Sequence, residues 1–163
     1  MFAAAGQAAS DGCAGASAVP VDAAGRAQAA RAVVCLVNRE RTGRGLRALR
    51  LSGPLSAAAR SHSADMVARG YFAHDSPAGD TLASRVQRSG YAAAHPRFDV
   101  GEALAWGQQV SPDALVAALM RSAIHRHVLL DEGGRYLGIG LLLGAPAGGV
   151  PAPSVTLVLD VGA

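Results

Sequence analysis

The stretch Gly101-Glu102-Ala103-Leu104-Ala105-Trp106-Gly107 places one carboxylate, Glu102, in a run that is otherwise apolar or glycine. Upstream, His74 closes Tyr71-Phe72-Ala73-His74; downstream, His125 sits in Met120-Arg121-Ser122-Ala123-Ile124-His125-Arg126. Two imidazoles and a carboxylate, each framed by apolar residues, are the parts of one polar site mounted on a folded core.

Length and composition set the frame. A chain of 163 residues is long enough for one domain with a real core. Half the residues are hydrophobic but only 4% are aromatic, so the core must be built from Ala, Val and Leu. All fifteen basic residues are Arg and the formal charge is +3. The Arg residues are spread along the chain rather than gathered on one face, which argues against nucleic acid as partner. The densest run, Arg39, Arg41, Arg44, Arg47 and Arg50, reads as a solvated helix end and loop, with a patch for an anionic wall polymer or lipid headgroups as the alternative. No apolar run is long enough to span a membrane.

The two cysteines speak to the compartment. Residues 1–21 are an Ala/Gly-rich arm with no core of its own; Gly6-Gln7-Ala8 has the small-x-small form of a signal-peptide cleavage site, and a disordered Ala-rich leader is the alternative. A bridge from Cys13 in this arm to Cys35 would tether it to the first helix, and closing such a loop stabilises by roughly 3 kcal/mol. A disulfide and a secreted protein are therefore expected.

From Asp22 onward the periodicity predicts a single domain, 22–163. Asp22 caps a helix whose Ala27, Ala30, Val34 and Val37 recur at three and four residues. That helix ends by Gly43 or Gly45, and Leu46, Leu49 and Leu51 form a short connection. Ser52-Gly53-Pro54 opens a second helix with Leu55, Ala58, Ala59, His62 and Met66 inward, ending at Gly70. Asp80 or Thr81 caps a short helix with Leu82 and Val86 inward. Ser111-Pro112-Asp113 opens another, with Ser111 as cap and Leu115, Ala118 and Leu119 on its apolar side. Tyr136 to Leu143 and Val155 to Val161 read as antiparallel strands. Helices followed by strands give an α+β class with helices packed on a mainly antiparallel sheet.

Six segments in this order resemble the CAP superfamily of cysteine-rich secretory, antigen-five and pathogenesis-related proteins, and its small bacterial extracellular members above all. They are Cys35-Leu36-Val37-Asn38-Arg39-Glu40-Arg41, Leu55-Ser56-Ala57-Ala58-Ala59-Arg60-Ser61-His62-Ser63-Ala64-Asp65-Met66, Tyr71-Phe72-Ala73-His74-Asp75-Ser76-Pro77, Gly101-Glu102, His125-Arg126 and Leu137-Gly138-Ile139-Gly140. The resemblance implies an α-β-α sandwich with a surface cleft. It also implies a cleft tetrad of two His and two acids that often holds a divalent metal. Carried over residue by residue, the metal set is His74, Glu102 and His125, while the second acidic position falls near Ser122, which has no charge. Ala103, Leu119 and Val128 stand where the family often has Asn, Trp and Asn.

The chemistry follows from that thinned set. Zinc or another divalent ion held by two imidazoles needs further ligands, so such a site is open and weak. Glu102 either ligates directly or accepts an N–H from a ligating imidazole. The leading expectation is an extracellular domain whose His/Glu cleft binds a ligand: a metal, a lipid, another small molecule or a cell-wall component. Two alternatives stand beside it. One is a metal-assisted hydrolase with Glu102 as general base; the other is a wall-associated interaction module with a vestigial cleft. A monomer is expected. In an open cleft, replacing Glu102 by Gln should change folding by on the order of 1 kcal/mol. His62 reads as a core residue, His95 as exposed, and His127 as facing away from His125. Trp106 and Phe98 read as core packing. A serine hydrolase built on Ser122 and His125 lacks a G-x-S-x-G elbow and an orienting acid.

Overall fold

The structure is a computed structural model and describes residues 12–163. Gly6-Gln7-Ala8 lies outside the described residues. Helix α1 (Ala23–Thr42) starts where the Asp22 carboxylate accepts the Gly25 N–H at 2.7 Å. After a two-residue strand β1 (Arg50–Leu51) comes α2 (Gly53–Arg69), capped by the Ser52 hydroxyl on the Leu55 N–H. Pro54 sits in the first turn of α2, and Gly70 ends it in the left-handed region at φ 69°. Helix α3 (Leu82–Arg88) opens on a reciprocal Thr81–Ser84 capping box, and α4 (Tyr91–Ala94) is a single turn. Strand β2 (Val100–Gln108), helices α5 (Pro112–Arg121) and α6 (Ala123–Leu129), and strands β3 (Tyr136–Leu143) and β4 (Ser154–Gly162) complete the chain.

The four strands lie in the order β1-β3-β4-β2. β1 is parallel to β3, while β3–β4 and β4–β2 are antiparallel. Every residue of β4 is buried, its polar Ser154, Thr156 and Asp160 included, so this strand is the centre of the core. Its Val155, Leu157, Leu159 and Val161 face Val33, Leu36, Leu115 and Leu119 of α1 and α5. Its Val158 faces the opposite side, with Ala59 and Met66 of α2. Helices thus cover both faces of the sheet, an α-β-α sandwich of the α+β class. Helix α2 comes unusually close to β3. A Cβ placed on Gly138 would lie 2.5 Å from the Leu55 carbonyl carbon, and one on Gly140 would run into the Ala59 backbone. Glycine at both positions is what allows this approach.

The Cys13–Cys35 disulfide is formed, with a Cα–Cα distance of 5.7 Å. Four local expectations are corrected. Residues 13–17 fold as turns, with Cys13 and Ala16 inside the main core, so this part of the N-terminal segment is not a core-less extended arm. Arg41 is fully buried rather than solvated. Its guanidinium donates to the carbonyls of Arg47 (2.9 Å), Leu129 (2.8 Å) and Asp131 (3.0 Å), fastening the end of α1 to the turn before β3. His95 is half-buried, stacked on Tyr91 with ring centroids 4.2 Å apart. Ser111 stands at the start of α5, but its hydroxyl turns to the Asp113 carboxylate instead of a helix amide.

Candidate functional site

Glu102 lies near the start of β2 with its side chain 2% exposed, on the α2 side of the sheet. Its two oxygens are taken by two different groups. Oε1 accepts from His74 Nδ1 at 2.8 Å, and Oε2 accepts from Arg85 Nη2 at 2.8 Å. Since a carboxylate only accepts, His74 carries its proton on Nδ1 and turns Nε2 outward as a free lone pair when neutral. His74 itself is 56% exposed, so a buried charge holds an accessible imidazole in one tautomer.

The loop bearing His74 is gripped from below at consecutive carbonyls. His62 of α2, fully buried, donates from Nε2 to the Ala73 carbonyl at 2.9 Å. Arg85 of α3 donates to the His74 carbonyl and to the Asp80 carbonyl, each at 3.0 Å. His62 Nε2 also lies 4.0 Å from Glu102 Oε1. Burial holds the His62 pKa below its ordinary value, against the pull of Glu102. His62 is thus the core residue that its place on the apolar stripe predicts, and it also supports the cleft.

Asp160 completes this layer. It stands opposite Glu102 in the β2–β4 register, is fully buried, and neither of its oxygens has a hydrogen-bond partner among the described residues. Burial first, then the neighbouring Glu102 carboxylate, push its pKa well up, against the opposing pull of Arg85. Such a setting favours the protonated form of the acid. Arg85 and Asp160 are not picked out by motif. Both still left a trace in the sequence: Arg85 falls one turn from Leu82 on the inward side of its helix, and Asp160 is a lone acid in an apolar run, as Glu102 is.

His125 approaches from the other side. Helix α5 breaks at Ser122, whose extended backbone (φ −79°, ψ 121°) starts α6, and α6 carries His125. Burial and the nearness of His74 both lower the His125 pKa. His125 and Ser122 form one end of a groove of about 400 Å³, walled by Phe72, Leu104, Trp106 and Leu119 among others. Trp106 is 39% and Phe72 44% exposed. Trp106 is therefore a groove wall rather than core packing, whereas Phe98 packs with Tyr91 as read. His127 is exposed.

Comparison with known proteins fits this geometry. The profile of the cysteine-rich secretory protein family, CAP, matches residues 34–151. The chain belongs to the CAP family. YkwD of Bacillus subtilis (strain 168) is 34% identical over 108 residues, covering 66% of this chain and 40% of YkwD. An extracellular protein with an SCP domain from Bacillus anthracis str. Ames superposes with a TM-score of 0.66 at 27% identity, covering 86% of this CAP chain and 44% of that one. An outer surface protein of Borrelia burgdorferi shares the fold, with a TM-score of 0.66 at 18% identity over 80% of this chain and 88% of its own. This CAP chain spans less than half the length of the two Bacillus proteins.

The residues fit a metal only in part. Among the described residues, no three His, Cys, Asp or Glu side chains are grouped to hold one ion. Glu102 stands behind His74 with both oxygens engaged, so an ion between the two imidazoles would have Glu102 as an outer partner. Ser122 adds no charge.

Proposed function

We propose that this CAP domain is an extracellular binding module whose ligand enters the groove between Trp106 and His125 and meets the His74 imidazole. The observation that carries the reading is the His74–Glu102 hydrogen bond. It fixes the free Nε2 of an accessible imidazole near His125, at the end of a largely apolar groove, an arrangement suited to orienting a small ligand. An extracellular setting is supported by the Cys13–Cys35 disulfide, by the extracellular relative from Bacillus anthracis, and by the lack of any described helix long and apolar enough to cross a membrane. Soluble cell-wall fragments are the first ligands to test, and the only tryptophan of the chain reports on them. Titration of wild type, His74→Ala and His125→Ala should give a saturable change in Trp106 emission for wild type alone. No response, or the same response from all three, leaves a vestigial cleft.

A second reading, a weak divalent-metal site, is favoured by the same hydrogen bond, because a carboxylate on the far nitrogen is how ligating imidazoles are commonly held. His74 and His125 would hold the ion, which would supply Lewis acidity. Calorimetry with zinc should then show modest affinity, lost in either His→Ala variant. Binding should weaken in acid, since only the neutral ring ligates. Changing Ser122 to Glu should tighten it. The hydrolase reading needs Glu102 to reach a water. A carboxylate 2% exposed and bound on both oxygens acts through His74 instead.

A further inference from the structure

The floor of the groove is the open edge of a β-strand. β2 is the outermost strand of the sheet. Beyond its two ends the same ladder continues: Gln109 N–H donates to the Pro153 carbonyl at 2.8 Å, and Ala163 N–H to the Asp99 carbonyl at 3.0 Å. These bonds set the phase of the pairing. Odd-numbered residues of β2 give their N–H and C=O groups to β4, and even-numbered residues turn theirs outward. At the start of the strand, α6 packs on its face, where a Cβ on Gly101 would lie 3.1 Å from Val128. At Leu104 and Trp106 the edge is bare: among the described residues no group hydrogen-bonds to their backbone. Leu104 and Trp106 both line the groove, Leu104 at 5% and Trp106 at 39% exposure.

Backbone dipoles on an apolar floor demand partners. An acyl chain would cover the walls and leave the dipoles unmet. An extended peptide satisfies both, pairing its main chain with Leu104 and Trp106 while its side chains alternate between the walls. Phe72 and Trp106 line the groove together with Leu115 and Leu119 of α5. Helix α5, ten residues long, gives the groove about 15 Å, the span of roughly four or five extended residues. No Asp or Glu lines it. His125 and Ser122 occupy one end, with exposed Arg121 and Arg126 at the same α5–α6 junction, and Asp113 begins α5 at the other.

We propose that the groove is a strand-addition site for an extended peptide with alternating apolar side chains and an acidic group at the His125 end. The proposal rests on the ligand-cleft reading and names the chemical class of that ligand. The probe is the peptide acetyl-Val-Thr-Val-Thr-Glu, compared with a copy N-methylated at alternate residues and with decanoate as an apolar control. The parent peptide should shift Trp106 emission saturably and slow hydrogen exchange at the Leu104 and Trp106 amides about tenfold or more at saturation. The N-methylated copy should bind about tenfold or more weakly, since it cannot complete the ladder. Equal binding of the two peptides, or unchanged exchange at both amides, overturns the proposal. Decanoate binding without peptide binding also overturns it while leaving a ligand cleft in place. Silence from peptide, decanoate and wall fragments alike removes both readings.

Discussion

Removing the charge at Glu102 should harm the fold as well as the cleft. The expectation of about 1 kcal/mol belongs to an exposed group. Glu102 is instead the sole carboxylate bonded to Arg85 among the described residues, and the Arg85 side chain is 1% exposed. Breaking a buried ion pair from one side leaves an uncompensated charge and costs about 3–5 kcal/mol. Glu102→Gln should therefore lower the urea midpoint strongly, and a loss below about 1 kcal/mol would mean that water reaches Arg85. Asp160 makes the opposite prediction. Its folded-state pKa is raised, so the folded chain holds a proton that the unfolded chain releases above about 3.9. Stability from this group therefore falls as pH rises from there to the folded pKa. Asp160→Asn removes that penalty. Its stability relative to wild type should improve as pH rises above about 3.9, by up to about 1.4 kcal/mol per pH unit, and level off at the folded pKa of Asp160. A difference that stays flat above about pH 4 would show that the Asp160 pKa is not raised.

At the scale of elements, the contact of α2 with β3 sets the position of His62 and so of the loop above it. Gly140→Ala would press a methyl group into the Ala59 backbone, where no side chain can yield. A loss of about 3 kcal/mol is expected by chemical denaturation; a variant as stable as wild type would show that α2 can move off the sheet. The boundaries of α1 and α2 were legible because Asp22, Ser52, Pro54 and Gly70 each carry a local cap or stop. The strands β3 and β4 were legible as apolar runs broken by Gly and Pro. Less legible were features that depend on distant partners. Arg41 looks like any other arginine at a helix end until carbonyls 88 and 90 residues away converge on it. The stacking of His95 on Tyr91 likewise needs the single turn of α4.

Across the whole molecule, the site depends on the sandwich bringing separate segments to one edge of the sheet. Helix α2 supplies His62, α3 supplies Arg85, β2 supplies Glu102, and the α5–α6 junction supplies Ser122 and His125. The sequence pointed to His74, Glu102 and His125 because lone polar groups in apolar frames stand out. It did not show that Glu102 faces inward, since burial comes from the cover of α2 and not from the residues beside it. Central to the cleft is a buried carboxylate that fixes the outward imidazole. Long-range nitrogen–proton NMR of the histidine rings in wild type and Glu102→Gln tests this most directly. The neutral His74 ring should carry its proton on Nδ1 with a free Nε2 in wild type, and should lose that single tautomer in the variant. A His74 ring that averages already in wild type, as a freely solvated histidine does, would contradict the account.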